Sequence, residues 1–140
     1  MKMVSFDIFD TLITRKVRKP SDIFYLMQED LKNNRILDNQ DTINSFKERR
    51  VDAEKIARIL NCKGEIEEID FSQIYETMIM LGWIKECEKK DLMEMEKKCE
   101  LANSVPIKEN VDRLKAYLSE KTRVVVISDM YYDQEFLQSL

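Results

Sequence analysis

Two short apolar runs lie far apart in the chain, and nearly everything between them has a helical period. The first, Val4-Ser5-Phe6-Asp7-Ile8-Phe9, is aromatic-rich and predicts a buried strand at residues 3–9. The second, RVVVIS, predicts a strand at 123–128. Its four consecutive β-branched residues lack polar alternation, which suits a strand covered on both faces, as in a parallel sheet.

Between the strands the apolar spacing changes. Pro20 suits the first turn of a helix, and Ile23, Leu26, Met27 and Leu31 then share one face. A second helix is predicted from about Asp41, with Ile43, Phe46, Ala53, Ile56, Ala57 and Leu60 spaced for burial, ending near 61–64 where Gly64 favours a left-handed stop. Asp70 followed by Gln73 resembles a capping box for a third helix, which carries Ile74, Met78 and Leu81 and stops at Gly82. A fourth, around 89–101, is heavily charged, with Leu92, Met95 and Cys99 as its inner stripe. The charged runs IKECEKKD and EMEKKCE read as solvated helix faces. Pro106 begins a fifth helix with Val111, Leu114 and Leu118 inward, and a sixth starts after Asp133. The helix at 107–118 can by itself return the chain to a parallel neighbour of the first strand. Residues 16–103 are then a helical insertion, and 1–15 with 104–140 form the strand-bearing part.

Composition narrows the chemistry. A chain of 140 residues, 44% hydrophobic, is the size of one domain and can bury a core, and 36% charged residues suit a soluble, helix-rich protein. The formal net charge is −4 with the signs interspersed, so no nucleic-acid partner is expected. Histidine is absent, which excludes a Ser-His-Asp triad, a Cys-His dyad or a His-ligated metal built from this chain. Cys62, Cys87 and Cys99 are odd in number and lack CxxC spacing, as for thiols of a reducing compartment. With no signal-peptide pattern and no membrane-length apolar run, a cytoplasmic location without a membrane partner is expected.

The candidate chemistry sits at the strand ends. FDIFDTL, residues 6–12, places Asp7, Asp10 and Thr11 where the first strand stops. A carboxylate there has backbone amides and an open crevice beside it, a setting for a nucleophile; the alternative is a pair of solubilising residues. VVVISDM, residues 124–130, ends the second strand in Ser128 and Asp129, which alternatively form the N-cap of the last helix. Arg15, Lys16, Arg18 and Lys19 either meet an anionic substrate or form a solvated linker. Tyr131 and Tyr132 read as packing residues.

FDIFDTL and ISDMYY, at this spacing and with a helical filling, resemble the first two motifs of the haloacid dehalogenase (HAD) superfamily. The phrases FDIFDTL, KPSDIFYLM and VVVISDMYYDQEFL are similar to those of HAD-like hydrolases found beside or fused to glycosyltransferases of surface-polysaccharide synthesis. The resemblance implies an α/β fold: an incomplete Rossmann-like core, with parallel strands near 3–9 and 123–128, and an inserted all-helical cap at 16–103. It implies Asp7 as the nucleophile and, in the phosphatase branch, as a Mg²⁺ ligand. Thr11 would cap the turn. Ser128 would donate to a phosphoryl oxygen or a substrate carboxylate, with Asp129 in the same crevice. The implied substrate is a small phosphorylated molecule.

Two departures limit this expectation. In the phosphatase branch the residue two after the nucleophile is an aspartate that serves as general acid/base; here it is Phe9, and Asp10 stands where glycine is usual. Residues i and i+2 of a strand point the same way, which puts Phe9 beside Asp7 unless Asp10 swings in as the strand ends. An aromatic at this position occurs in the dehalogenase branch, where the aspartate attacks carbon. A positioned acid contributes about 10²–10⁴-fold, so this residue decides between branches. The later lysine and the acidic pair that completes the Mg²⁺ site are also not found, so the chain is expected to be inactive alone, with weak or no Mg²⁺ binding. The expectations are therefore a hydrolase acting on a phosphate ester or the N-terminal fragment of one, a degenerate HAD-fold interaction module, or attack on carbon. Exposed core strands predict a homo-oligomer.

Overall fold

The computed structural model describes residues 2–61, 64 and 69–140. Cys62 and Lys63, at the expected stop of the second helix, lie outside them. The elements in chain order are β1 (Met3–Asp7), β2 (Ile13–Arg15), α1 (Asp22–Leu31), α2 (Gln40–Asn44), α3 (Phe46–Leu60), α4 (Phe71–Met80), α5 (Glu86–Asn103), β3 (Ser104–Pro106), α6 (Lys108–Ser119), β4 (Arg123–Ile127) and α7 (Gln134–Ser139). The fold is mixed α/β.

β1 and β4 pair in parallel, in a register running from Met3↔Arg123 to Asp7↔Ile127. α6 makes the return between them, and its Tyr117 ring lies 6.2 Å from that of Phe6. The strand pair is less covered than its apolar sequence suggests. Val126 and Ile127 are 47% and 58% exposed, which corrects the expectation of a strand covered on both faces. No side chain of α6 is fully buried, and Leu118, expected inward, is exposed.

β2 and β3 form a second, antiparallel ribbon, Ile13↔Pro106 to Arg15↔Ser104. The Ile107 amide donates to the Leu12 carbonyl at one end and the Lys16 amide to Asn103 at the other, both at 2.8 Å. Here the chain enters and leaves its helices. Each strand has three residues, too few for an alternation to show.

The helices bury a common cluster that includes Ile23, Met27, Leu31, Phe46, Ala53, Ala57, Ile74, Tyr75, Met78 and Leu92. Tyr132 and Phe136, from the segment after β4, are buried in the same cluster. The capping box of Asp70 and Gln73 forms as expected, and Gly82, with φ of +70°, follows α4. The second helix, expected as one piece, breaks at Ser45 into α2 and α3. There the Ser45 hydroxyl donates to the Asp41 carbonyl at 2.6 Å, a local bond that competes with the helix. Leu60 and Leu81, expected inside, are exposed.

Candidate functional site

β1 ends at Asp7 because the chain turns sharply there. The Ile8 amide donates to the Asp7 carboxylate at 2.8 Å. The amides of Leu12 and Ile13 both donate to the Ile8 carbonyl, at 2.9 and 3.0 Å. Asp10 takes φ of +58°, the left-handed region that L-residues avoid and aspartate tolerates better than most. That conformation accounts for an aspartate at a position where glycine also fits. The Asp10 amide donates to the Ile13 carbonyl at 2.7 Å, and its carboxylate accepts from the Thr14 hydroxyl at 3.5 Å. Since extended backbone stops at Asp7, strand parity does not carry on to Phe9. Its ring lies instead under the Arg15 guanidinium, 4.3 Å from the centroid. Thr11 joins the loop through its carbonyl, which accepts from the Asn110 side chain of α6 at 2.8 Å.

On the neighbouring strand, Ile127 is the partner of Asp7, so Ser128 and Asp129 leave the sheet at the same end as Asp7. The Ser128 hydroxyl oxygen accepts from the Met130 amide at 3.3 Å. Ser128–Asp129 is not the cap of α7. That role belongs to Asp133, whose carboxylate accepts from the Phe136 amide at 2.8 Å and pairs with Lys97 at 2.7 Å. The Lys97 hydrogen bond, then that amide, hold the Asp133 carboxyl below its ordinary range. Ser128, Asp129 and Met130 line an open cleft of about 730 Å³, shared with Arg58, Phe71 and Met93. Asp7 and Asp10 do not line that cleft. A groove of similar size, about 760 Å³, lies elsewhere, between α1 and α5.

The charged groups that sequence reasoning missed lie against the Tyr131–Tyr132 turn that follows β4. Arg50 of α3 and Glu96 of α5 are fully buried and joined by two bonds of 2.8 Å. The Tyr75 and Tyr132 hydroxyls donate to Glu96 at 2.6 and 3.1 Å, and that of Tyr131 at 3.4 Å. Arg50 also lies over the rings of Phe24, Tyr75 and Tyr131. Burial, then the charge of Glu96, pushes the Tyr75 and Tyr132 phenols well above their ordinary range. A second buried pair joins Arg15 of β2 to Glu100 at 2.5 Å. Burial raises the Glu100 carboxyl and outweighs Arg15, which lowers it. Glu88 is buried too and accepts from the Lys85 and Asp38 amides.

These positions correct the view of IKECEKKD and EMEKKCE as solvated faces. The inner stripe of α5 is Glu88, Leu92, Glu96 and Glu100, with Met95 and Cys99 only partly buried. Of the basic cluster, Arg15 is committed to Glu100 and Phe9, and Lys16 reaches the Ala102 carbonyl at 3.4 Å. Two signals were available. Residues 88, 92, 96 and 100 share the face that Leu92 buries, and Arg50 falls on the stripe of Phe46, Ala53 and Ala57.

Cys87 is exposed, and burial pushes the Cys99 thiol up to about 11. Asp7 offers the hard oxygen that Mg²⁺ takes, but a single carboxylate falls short of a Mg²⁺ site. Among the described residues no three acidic, Cys or His side chains gather where a metal could sit. Among those residues, no helix is long and apolar enough to cross a membrane. Compared with models of protein families and with curated proteins, the chain matches none.

Proposed function

We propose that the chain is a hydrolase of HAD type or the N-terminal part of one, inactive alone, with a Rossmann-like core and a helical cap, in which Asp7 of the complete enzyme attacks a phosphate ester of a small molecule. The observation that supports this is the placement of Asp7 opposite Ile127, directly before Ser128. A carboxylate and a hydroxyl then stand at the carboxyl ends of adjacent parallel strands, where open α/β sheets bind ligands. An Asp7 oxygen bonds to phosphorus as the ester P–O bond breaks, and the leaving oxygen takes a proton. Water then releases phosphate and restores the carboxylate. Ser128 donates to a phosphoryl oxygen. Asp10 supplies the proton only if it leaves Thr14. Mg²⁺, expected in a complete enzyme of this type, would take Asp7 as one of several oxygen ligands.

Acid-quenched mixtures with p-nitrophenyl phosphate or acetyl phosphate test this by mass spectrometry. The expected result in the complete enzyme is a phosphoryl adduct on Asp7, absent from Asp7→Asn. An alkyl-ester adduct formed with a 2-chloro acid would move the chemistry to carbon. A second reading, an interaction module without turnover, is favoured by the exposure of Val126, Ile127 and Leu118 on and next to the strand pair. Absence of both adducts in the complete protein would select it.

A further inference from the structure

We propose that Arg50 and Glu96 are positioning residues: their buried pair in the helices fixes the Ser128–Tyr132 turn, so that the helical insertion is an obligatory part of the site and not a detachable lid. This rests on the assignment of Asp7 and Ser128 to the reaction.

The geometry forms a continuous chain. Arg50 holds Glu96 with two parallel bonds, an arrangement that fixes the carboxylate plane as well as its place. The same Glu96 oxygen that meets Arg50 Nη2 accepts from Tyr132 and Tyr131. Phe71 of α4 stacks on Tyr131, with planes 16° apart, and meets Tyr132 edge-on at 5.0 Å. Tyr131 directly follows Met130, whose amide donates to the Ser128 hydroxyl. Holding the two phenols therefore holds the amide that orients Ser128. β4 itself cannot do this, because it ends at Ile127 and is exposed there.

Apolar packing of Tyr131, Tyr132 and Phe136 would anchor the segment without fixing its rotation. A buried ion pair is a costly means of anchoring that in some proteins specifies one arrangement, the role assigned to it here. Glu96 is fully buried, and its hydrogen bonds reach two helices besides its own turn partners, Arg50 on α3 and Tyr75 on α4. Displacing the helices from the turn would strand that carboxylate.

The test compares three full-length proteins by ¹⁵N relaxation: wild type, Tyr131→Phe/Tyr132→Phe, and Arg50→Met/Glu96→Leu. The first variant keeps the ion pair and removes only the phenol contacts. The second replaces the pair by apolar side chains, an exchange that buried pairs often tolerate. In the wild type the Ser128 and Asp129 amides should show order parameters near the rigid value of about 0.85. In both variants they should fall below about 0.6, while the α3 and α5 amides keep wild-type values. Formation of the Asp7 adduct in the complete enzyme should slow at least tenfold, and the phenylalanine variant, which loses two bonds to a buried carboxylate, should melt several degrees lower yet stay folded at the assay temperature. Ser128 and Asp129 that stay rigid in either folded variant would overturn the proposal. So would an adduct rate equal to wild type despite a loosened turn. A complete wild-type enzyme that forms no Asp7 adduct would instead overturn the hydrolase assignment, and the relaxation data would still decide whether Arg50 and Glu96 position the turn.

Discussion

Arg50→Ala should be among the most destabilising single substitutions in the helical region. The substitution removes two of the bonds to Glu96 and leaves the carboxylate fully buried with three phenol donors. Breaking a buried pair from one side costs about 3–5 kcal/mol, because the remaining charge has lost both water and partner. Against a total stability of roughly 5–15 kcal/mol for a domain, that is a large share. It corresponds to a fall in thermal midpoint on the order of 10–20 °C. Loss of the guanidinium from the faces of Phe24, Tyr75 and Tyr131 acts in the same direction.

The cost should depend on the charge that is left behind, and this separates the explanation from simple cavity formation. Adding Glu96→Gln to Arg50→Ala should recover stability, on the order of 1–2 kcal/mol, since a neutral amide is cheaper to bury than an ion. In the wild-type background Glu96→Gln alone should destabilise, so the two effects have opposite sign. Urea denaturation followed by circular dichroism measures all four members of this cycle. A cost below about 1 kcal/mol for Arg50→Ala, or no recovery in the double variant, would show that the pair does not hold the helices together.

Further outcomes follow from the site and the sheet. In the complete enzyme Asp7→Asn should abolish phosphoryl transfer with the fold intact, and Asp10→Asn should reduce it less; equal losses would show that Asp10 supplies the proton. At Asp10, where φ is +58°, Asp10→Val should cost about 1–2 kcal/mol while Asp10→Gly stays near neutral, as read by thermal melting. Asp133→Ala should fray α7, costing about 1 kcal/mol through the lost cap. Because the folded Asp133 carboxyl is held low, its contribution is present above its unfolded range and is lost as pH falls through the folded value. The protection of the Phe136 amide against exchange, relative to its intrinsic rate at each pH, should therefore fall in acid in the wild type and be low at all pH values in the variant. With Asp7 as the one carboxylate assigned to Mg²⁺, millimolar Mg²⁺ should stabilise by only about 0.4 kcal/mol when its concentration equals the dissociation constant; micromolar affinity in calorimetry would contradict this. Light scattering after size exclusion should show self-association at micromolar concentration, and a stable 16.7 kDa monomer would refute it.

What the sequence disclosed, and what it hid, follows from how each feature is encoded. The parallel partnership of residues 3–7 and 123–127 was legible because both runs are apolar and the helix before the second returns the chain. The cap of α4 was legible because Asp70 and Gln73 stand at a fixed spacing. The β2–β3 ribbon was not, since its pairing depends on two segments brought together only by everything between them. The strand boundary at Asp7 was not legible, since the apolar run continues to Phe9 while β1 stops at Asp7; Asp7, Ser128 and Asp129 stood out through the motif resemblance. The conformation of Asp10 and the turn of Phe9 toward Arg15 were not legible either, because alternation fails where extended backbone stops.

The buried charges show a more general reason for error. A helix with many lysines and glutamates is read as solvated because each charge is expensive to bury alone. Position on the helix is a stronger guide than residue type when the two disagree. Glu96 lies four residues from Leu92 and from Glu100, and all three are buried. Arg50 lies between Phe46 and Ala53 on the buried face of α3. Two opposite charges on two apolar stripes belong together, since each lowers the cost of burying the other. That pairing is the kind of long-range match that periodicity cannot state but can suggest. Applied to α5, the same rule assigns Glu100 a cationic partner, and Arg15 on β2 is that partner. The two pairs join α5 to the residues on either side of the strand ends, Arg15 after the Asp7 loop and Tyr131–Tyr132 after Ser128. One charged helix thus links both halves of the candidate site.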